Sequence, residues 1–232
     1  MKKPTVDYSR LRLSTLTTPE YSHVLLLLGW VGYFLMYFLT ENLIPVENCH
    51  VIHTRLDDLI PFCECFVLPY VLWYLLVAGS LAYFFFYDVE SFRRESVFII
   101  VTQVVAMLFY IFYPSVQDLR PEVFPRENVF TAVIGFLYRL DTPTGVFPSL
   151  HVAYSLGILS TWLKRKQTPV WFKLGLTVFV LLICVATVFI KQHSVADIFM
   201  AIPVCLLAEL LAFGGWWRVH LFPQWAKGGK PA

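Results

Sequence analysis

The apolar residues of this chain are gathered into six long blocks, at about 24–44, 66–87, 97–113, 148–163, 170–190 and 195–213. A helix needs roughly 20 mostly apolar residues to cross the hydrocarbon core of a bilayer. Inside that core every backbone N–H and C=O must be satisfied within the segment, which a helix does and an open strand does not. The blocks therefore predict an all-α, polytopic membrane protein: a six-transmembrane-helix bundle over 24–213, between an N-terminal segment (1–23) and a C-terminal tail (214–232). Charged residues make up 15% of the chain, against about 25% in soluble domains. The first block lacks a small-residue cleavage site and is expected to stay as a signal anchor. The fourth is short and opens with Ser149 and His151, and the sixth begins beside His193 and Asp197 and contains Pro203.

Basic residues follow one side of this arrangement. The N-terminus, the 88–96 loop, the 164–169 loop with Lys173, and the C-terminus hold 13 Lys and Arg. The other side holds five: Arg55, Arg120, Arg126, Arg139 and Lys191. The cytoplasmic excess of positive charge then puts both termini in the cytoplasm and Arg120, His151 and His193 on the extracytoplasmic face. The longest loop, 114–147, is broken by Pro114, Pro121, Pro125, Pro143 and Gly145. Within it, Asn128 to Leu140 carries apolar residues at helical spacing, as a short interfacial helix over a pocket would.

Ionisable groups beside apolar blocks are expensive unless used, and three runs have them: Arg120-Pro121, Pro148-Ser149-Leu150-His151, and Lys191 through His193 to Asp197. His193 and Asp197, four apart, share one helix face. A carboxylate on one ring nitrogen fixes the tautomer and makes the other nitrogen a better nucleophile; a plain ion pair at a helix end has the same spacing. Ser149 suits an N-cap or a hydrogen bond to phosphate, and His151 suits a general acid or a water-facing interfacial histidine. Arg120 has the planar fork that clamps phosphate oxygens. Lys191 either adds positive charge there or snorkels to the surface.

Taken in order, these runs resemble the three signature motifs of the type-2 phosphatidic acid phosphatase superfamily, the lipid phosphate phosphatases: K-x6-R-P, P-S-G-H and S-R-x5-H-x3-D. Here the first reads Tyr113 to Arg120-Pro121, the second Pro148-Ser149-Leu150-His151, and the third Ala186-Thr187 to His193 and Asp197. Tyr113 stands at the lysine position, Leu150 at the glycine, and Ala186-Thr187 at Ser-Arg. With P-S-L-H and no Ser-Arg, the chain is more similar to the inositol-phosphoceramide-synthase-like branch, which transfers a phosphoryl headgroup between lipids. The resemblance implies a metal-independent reaction without cofactor. In it His193 is the nucleophile, Asp197 orients it and His151 is the acid, while Arg120, Ser149 and Lys191 hold phosphate. It also implies a lipid phosphate substrate among membrane lipids, with an alcohol as a possible acceptor.

Rival readings are a small lipid transporter and a non-catalytic binder of anionic headgroups. Polar groups inside the blocks are few, among them Gln103 and Glu209. Nothing in the pattern points to nucleic acid, and the absence of organelle signals fits a bacterial inner membrane. Cys49, His50, His53, Cys63 and Cys65 cluster in the first extracytoplasmic loop with spacings of no standard zinc site; a disulfide from Cys49 to Cys63 or Cys65 suits that loop equally. Asp57 and Asp58 are expected to be solvated charges.

Overall fold

The computed structural model describes residues 4–214, so nearly all of the expected C-terminal tail, 215–232, lies outside the described residues. The chain is built from helices α1 (Leu28–Leu43), α2 (Arg55–Leu59), α3 (Val67–Tyr87), α4 (Val89–Phe112), α5 (Val129–Leu140), α6 (Leu150–Lys164), α7 (Val170–Phe189) and α8 (Val195–Phe213). A 3-10 segment, Ser22–Leu27, leads into α1. Two-residue strands β1 (His50–Val51) and β2 (Ser115–Val116) pair in parallel and tie the first long loop to the second.

Five helices among the described residues are long and apolar enough to cross a membrane: Ser22–Leu43, Glu64–Tyr87, Val89–Phe112, Val170–Phe189 and Val195–Phe213. They make this a multi-pass membrane protein by length and composition. The expected fourth span differs. Its helix, α6, has 15 residues, about 22 Å at 1.5 Å per residue, shorter than the roughly 30 Å hydrocarbon core. Residues 148–149, which the apolar pattern adds to it, precede the helix; Ser149 is its N-cap and has extended backbone.

The expected loop at 88–96 is also absent. Asp88 alone separates α3 from α4, and its carboxylate caps α4 by accepting the Ser91 N–H at 3.2 Å. Glu90 and Arg94 pair one turn apart on the new helix. Charges in this stretch end the apolar run without ending the helix, because Glu and Arg are good helix formers. Glu95, expected in that loop, is fully buried; it accepts from the Ser80 hydroxyl, which accepts in turn from the Trp162 ring N–H.

α4 is the central helix, packed against α1, α3, α6 and α8, and α6 sits among α3, α4, α7 and α8. These contacts bury Phe92, Phe98, Ile99, Ala106, Ala153, Ile158 and Ala208 in one core. α6 packs tightly on α4 at Gly157, where an added Cβ would lie 2.4 Å from the Phe98 ring. A helix forms where the sequence places one over 128–140. Asn128 caps it and exchanges hydrogen bonds with Thr131, while Ile134 packs with Val67, Tyr70, Ala186 and Ile190. α5 thereby lies over the adjoining ends of α3 and α7.

Gly157→Ala is expected to push Phe98 out of place and cost about 1–3 kcal/mol by overpacking. The check is a lower thermal unfolding midpoint of the detergent-solubilised protein, with Gly79→Ala, where the added methyl meets open space, as the control that stays near wild type.

Candidate active site

The site starts from the turn between α7 and α8. Lys191 has φ of 54°, the left-handed conformation that commonly ends helices. The Thr187 carbonyl then accepts two N–H groups, from Gln192 at 3.0 Å and His193 at 3.1 Å. Ser194 caps α8 by accepting the Ala196 N–H at 3.1 Å. Asp197 closes the capping box by accepting the Ser194 N–H at 3.0 Å. Asp197 is fully buried, and its Oδ2 also lies 2.9 Å from Nδ1 of His193. An ionised carboxylate can only accept, so Nδ1 carries the proton and Nε2 keeps its lone pair.

Asp57, expected to be solvated, is 2% exposed. Its carboxylate accepts from the Ser194 hydroxyl at 2.6 Å, the Val195 N–H at 2.8 Å, the Thr54 N–H at 2.7 Å and the Thr54 hydroxyl at 2.8 Å. Burial pushes this carboxyl up, but the bonds from Ser194, Val195 and Thr54 outweigh it and hold Asp57 below the usual carboxylate range. The helix N-terminus favours the anion as well. No local pattern marks this role, because Asp57 acts on a turn that follows it by 137 residues. Lys191 braces the same loop, its ammonium donating to the carbonyls of Asp57 at 2.8 Å and Ile60 at 2.6 Å. As placed, it supports the loop and is not among the cavity-lining residues.

Pro148 follows a cis peptide bond, and Ser149 begins α6. The Ser149 hydroxyl accepts the Val152 N–H at 3.4 Å, and its own N–H donates to the Asp197 carbonyl at 3.2 Å. That second bond sets the start of α6 beside the start of α8. The His151 ring packs on Tyr70 and Trp73, with centroids 4.5 and 4.2 Å away. It meets the His193 ring edge-on at 5.6 Å. Its Nε2 is buried and has no hydrogen-bond partner among the described residues.

Both histidines line a cavity of about 540 Å³. α1 contributes Trp30, Tyr33, Phe34 and Tyr37, α3 contributes Trp73, Tyr74, Val77, Ala78 and Leu81, and α6 adds Tyr154. Its wall is mostly aromatic and aliphatic, with a polar end at His151, Gln192, His193 and Asp141. Such a space suits a long apolar group whose polar end meets the imidazoles.

Arg120 reaches this end through Gln192. Its guanidinium donates to Gln192 Oε1 at 2.6 Å and to the carbonyls of Tyr138 at 3.2 Å and Thr142 at 3.1 Å, and it lies over the Tyr138 ring. Asp141, which ends α5, accepts from the Tyr37 hydroxyl at 3.1 Å. Burial raises the Asp141 carboxyl, while the charges of His193 and Arg120 oppose the rise. Asp141, Gln192 and Tyr37 were not legible as site residues. Asp141 looks like any acid in a turn-rich loop, Gln192 fits an ordinary helix-end role, and Tyr37 sits inside the first apolar block.

The histidines and cysteines of the first loop are dispersed. The His50 ring stacks on Tyr113 at 4.3 Å, and His53 bridges Asp58 and Asp118, each at 2.8 Å. Cys49, Cys63 and Cys65 are free thiols, and among the described residues no three His, Cys, Asp or Glu side chains form a metal-binding group. Hydrogen bonds to Asp118 and Asp58 raise the His53 pKa.

Two outcomes follow. Asp57→Ala is expected to cost about 2–3 kcal/mol, the scale of hydrogen bonds to a charged group, read as a lower unfolding midpoint. The Asp57 contribution is present above its unfolded pKa of about 3.9 and fades as pH falls through the lower folded value. For His53 the sign is opposite: the clamp is complete below about pH 6.5 and is lost as pH rises through the raised folded value. An NMR titration of labelled histidine checks this, with His53→Gln identifying the resonance. No family model, curated protein or solved structure matches the chain.

Proposed function

We propose that this chain is an integral-membrane lipid phosphatase or phosphotransferase that works through a phosphohistidine on His193. The observation that carries the reading is the meeting of two imidazoles at the polar end of an apolar cavity. His193 has one nitrogen committed to a buried carboxylate and the other available. Its neighbour His151, at 5.6 Å, is close enough for one phosphate group to reach both.

In the first step the lone pair of His193 Nε2 attacks phosphorus, and the bond from phosphorus to the departing oxygen breaks. His151, in its imidazolium form, gives a proton to that oxygen. In the second step water attacks phosphorus, its proton passes to His151, and the N–P bond breaks to release phosphate. An alcohol in place of water yields a phosphodiester, so hydrolase and transferase share the first half of the cycle. Asp197 holds the ring and offsets the positive charge that develops on it. Arg120, through its field and its hold on Gln192, and the N-terminal N–H groups of α6 favour negative charge on the phosphoryl oxygens.

The membrane placement belongs to the same reading. α6, with the extended residues before it, completes a sixth crossing, and α5 lies at the interface as a roof. Both termini are cytoplasmic, and the site faces the extracytoplasmic side of a membrane such as the bacterial inner one. The lipid enters sideways between α1 and α3, where the cavity walls are aromatic and apolar.

His193→Ala is expected to lower turnover of a lipid phosphate by at least a thousandfold while unfolding at the wild-type midpoint. Radiolabelled substrate should leave acid-labile label on the wild-type protein and none on the variant. Orthovanadate should inhibit and a chelator should not; an active, folded variant would remove the proposed nucleophile.

A further inference from the structure

We propose that Asp141 is a charge filter that makes this site favour a lipid phosphodiester, with one negative charge, over a lipid phosphomonoester, with two. The inference rests on the phosphoryl-transfer reading above and specifies its substrate.

Among the described residues no Lys or Arg lines the cavity, whereas Asp141 lines it together with His193. The two nearest cations are already engaged. Arg120 directs its guanidinium to Gln192 and to the Tyr138 and Thr142 carbonyls, and Lys191 donates to the Asp57 and Ile60 carbonyls. Behind His193 stands the buried carboxylate of Asp197. A second carboxylate stands behind two further lining residues, since Glu41 accepts from the hydroxyls of Thr142 and Thr144. Burial raises the Asp141 carboxyl, whereas the charges of His193 and Arg120 and the hydrogen bond from Tyr37 oppose that rise, so the comparison belongs well above the ordinary carboxylate range.

Apart from His151, which acts in its protonated form, the groups left to receive an anion are neutral donors. Leu150 and His151 open α6 with N–H groups that have no partner within the helix, and both residues line the cavity. Gln192 lines it too, 2% exposed, with an amide nitrogen that has no hydrogen-bond partner among the described residues. Neutral donors of this kind suffice for a monoanion. A phosphomonoester, whose second pKa is about 6, brings another charge into the cavity that Asp141 lines. Like charges sharing such a cavity, about 10 Å apart at an effective dielectric constant of about 20, weaken binding on the order of tenfold.

The test compares short-chain phosphatidate with phosphatidylglycerol of the same acyl length, at pH 8, on the full chain in detergent. Wild type is expected to show a kcat/KM at least tenfold higher for the phosphodiester. Asp141→Asn should shrink that ratio at least fivefold, with phosphatidate turnover rising. A purely structural role would instead lower both substrates together. Glu41→Gln, further out, should move the ratio the same way by a smaller factor, and serves if Asp141→Asn does not fold. Wild-type preference for phosphatidate, or an unchanged ratio in both variants, overturns the inference. If neither lipid is cleaved, the phosphoryl-transfer reading fails, and quenching of Trp30 and Trp73 fluorescence by the two lipids decides the charge filter by itself. Tighter phosphodiester binding that Asp141→Asn evens out supports it, and equal or reversed binding overturns it.

Discussion

Two buried carboxylates at the start of α8 hold the site together. Burying a carboxylate is costly unless its oxygens are hydrogen-bonded, and each of these takes partners from different parts of the chain. Asp57 brings the first long loop onto Ser194 and Val195. Asp197 fixes the ring of His193, and its own carbonyl receives the N–H of Ser149. Through these bonds the loop after α1, the beginning of α6 and the α7–α8 turn become one unit. His151 and His193 meet because the helices carrying them begin side by side, and the acid that caps α8 is the acid that orients the imidazole.

The helix packing supplies the space in front of that unit. α1 makes its main interhelical contact with α4, so the face of α3 opposite α1 is left to line a cavity. α6 packs tightly on the Phe98 ring of α4 at Gly157 and carries His151 on the cavity wall. Aromatic side chains fill the walls, and the polar groups collect at one end, which is the distribution expected for a molecule with a long apolar part and a compact polar one. The scarcity of positive charge at that end, beside Asp141, makes electrostatics the property most open to tuning there.

Much of the site was legible from spacing. His193 and Asp197 are four residues apart and do touch, but His193 precedes the Ser194 N-cap, so the contact comes from the capping turn and not from the shared helix face that the spacing predicts. Ser149 before an apolar run reads as a cap and is one. Arg120 and Lys191 were legible as cations near the site but not as cations already engaged, because their acceptors are carbonyls and an amide far away in the chain. Asp57 read as a surface charge for the same reason. The 88–96 stretch read as a loop because charge and helix end were taken together, whereas Asp88 starts a new helix there.

The amino-acid order alone determined that the chain is helical and membrane-embedded, and which imidazole has a carboxylate beside it. Those properties depend on hydrophobicity and on contacts within one or two helical turns, which sequence spacing encodes directly. Tertiary structure decided that α6 is short and buried, that Asp57 anchors the α7–α8 turn, and that Asp141 and Gln192 share a cavity with the histidines. Such pairings join residues tens to more than a hundred positions apart, and only the packing of whole helices brings them within hydrogen-bonding distance.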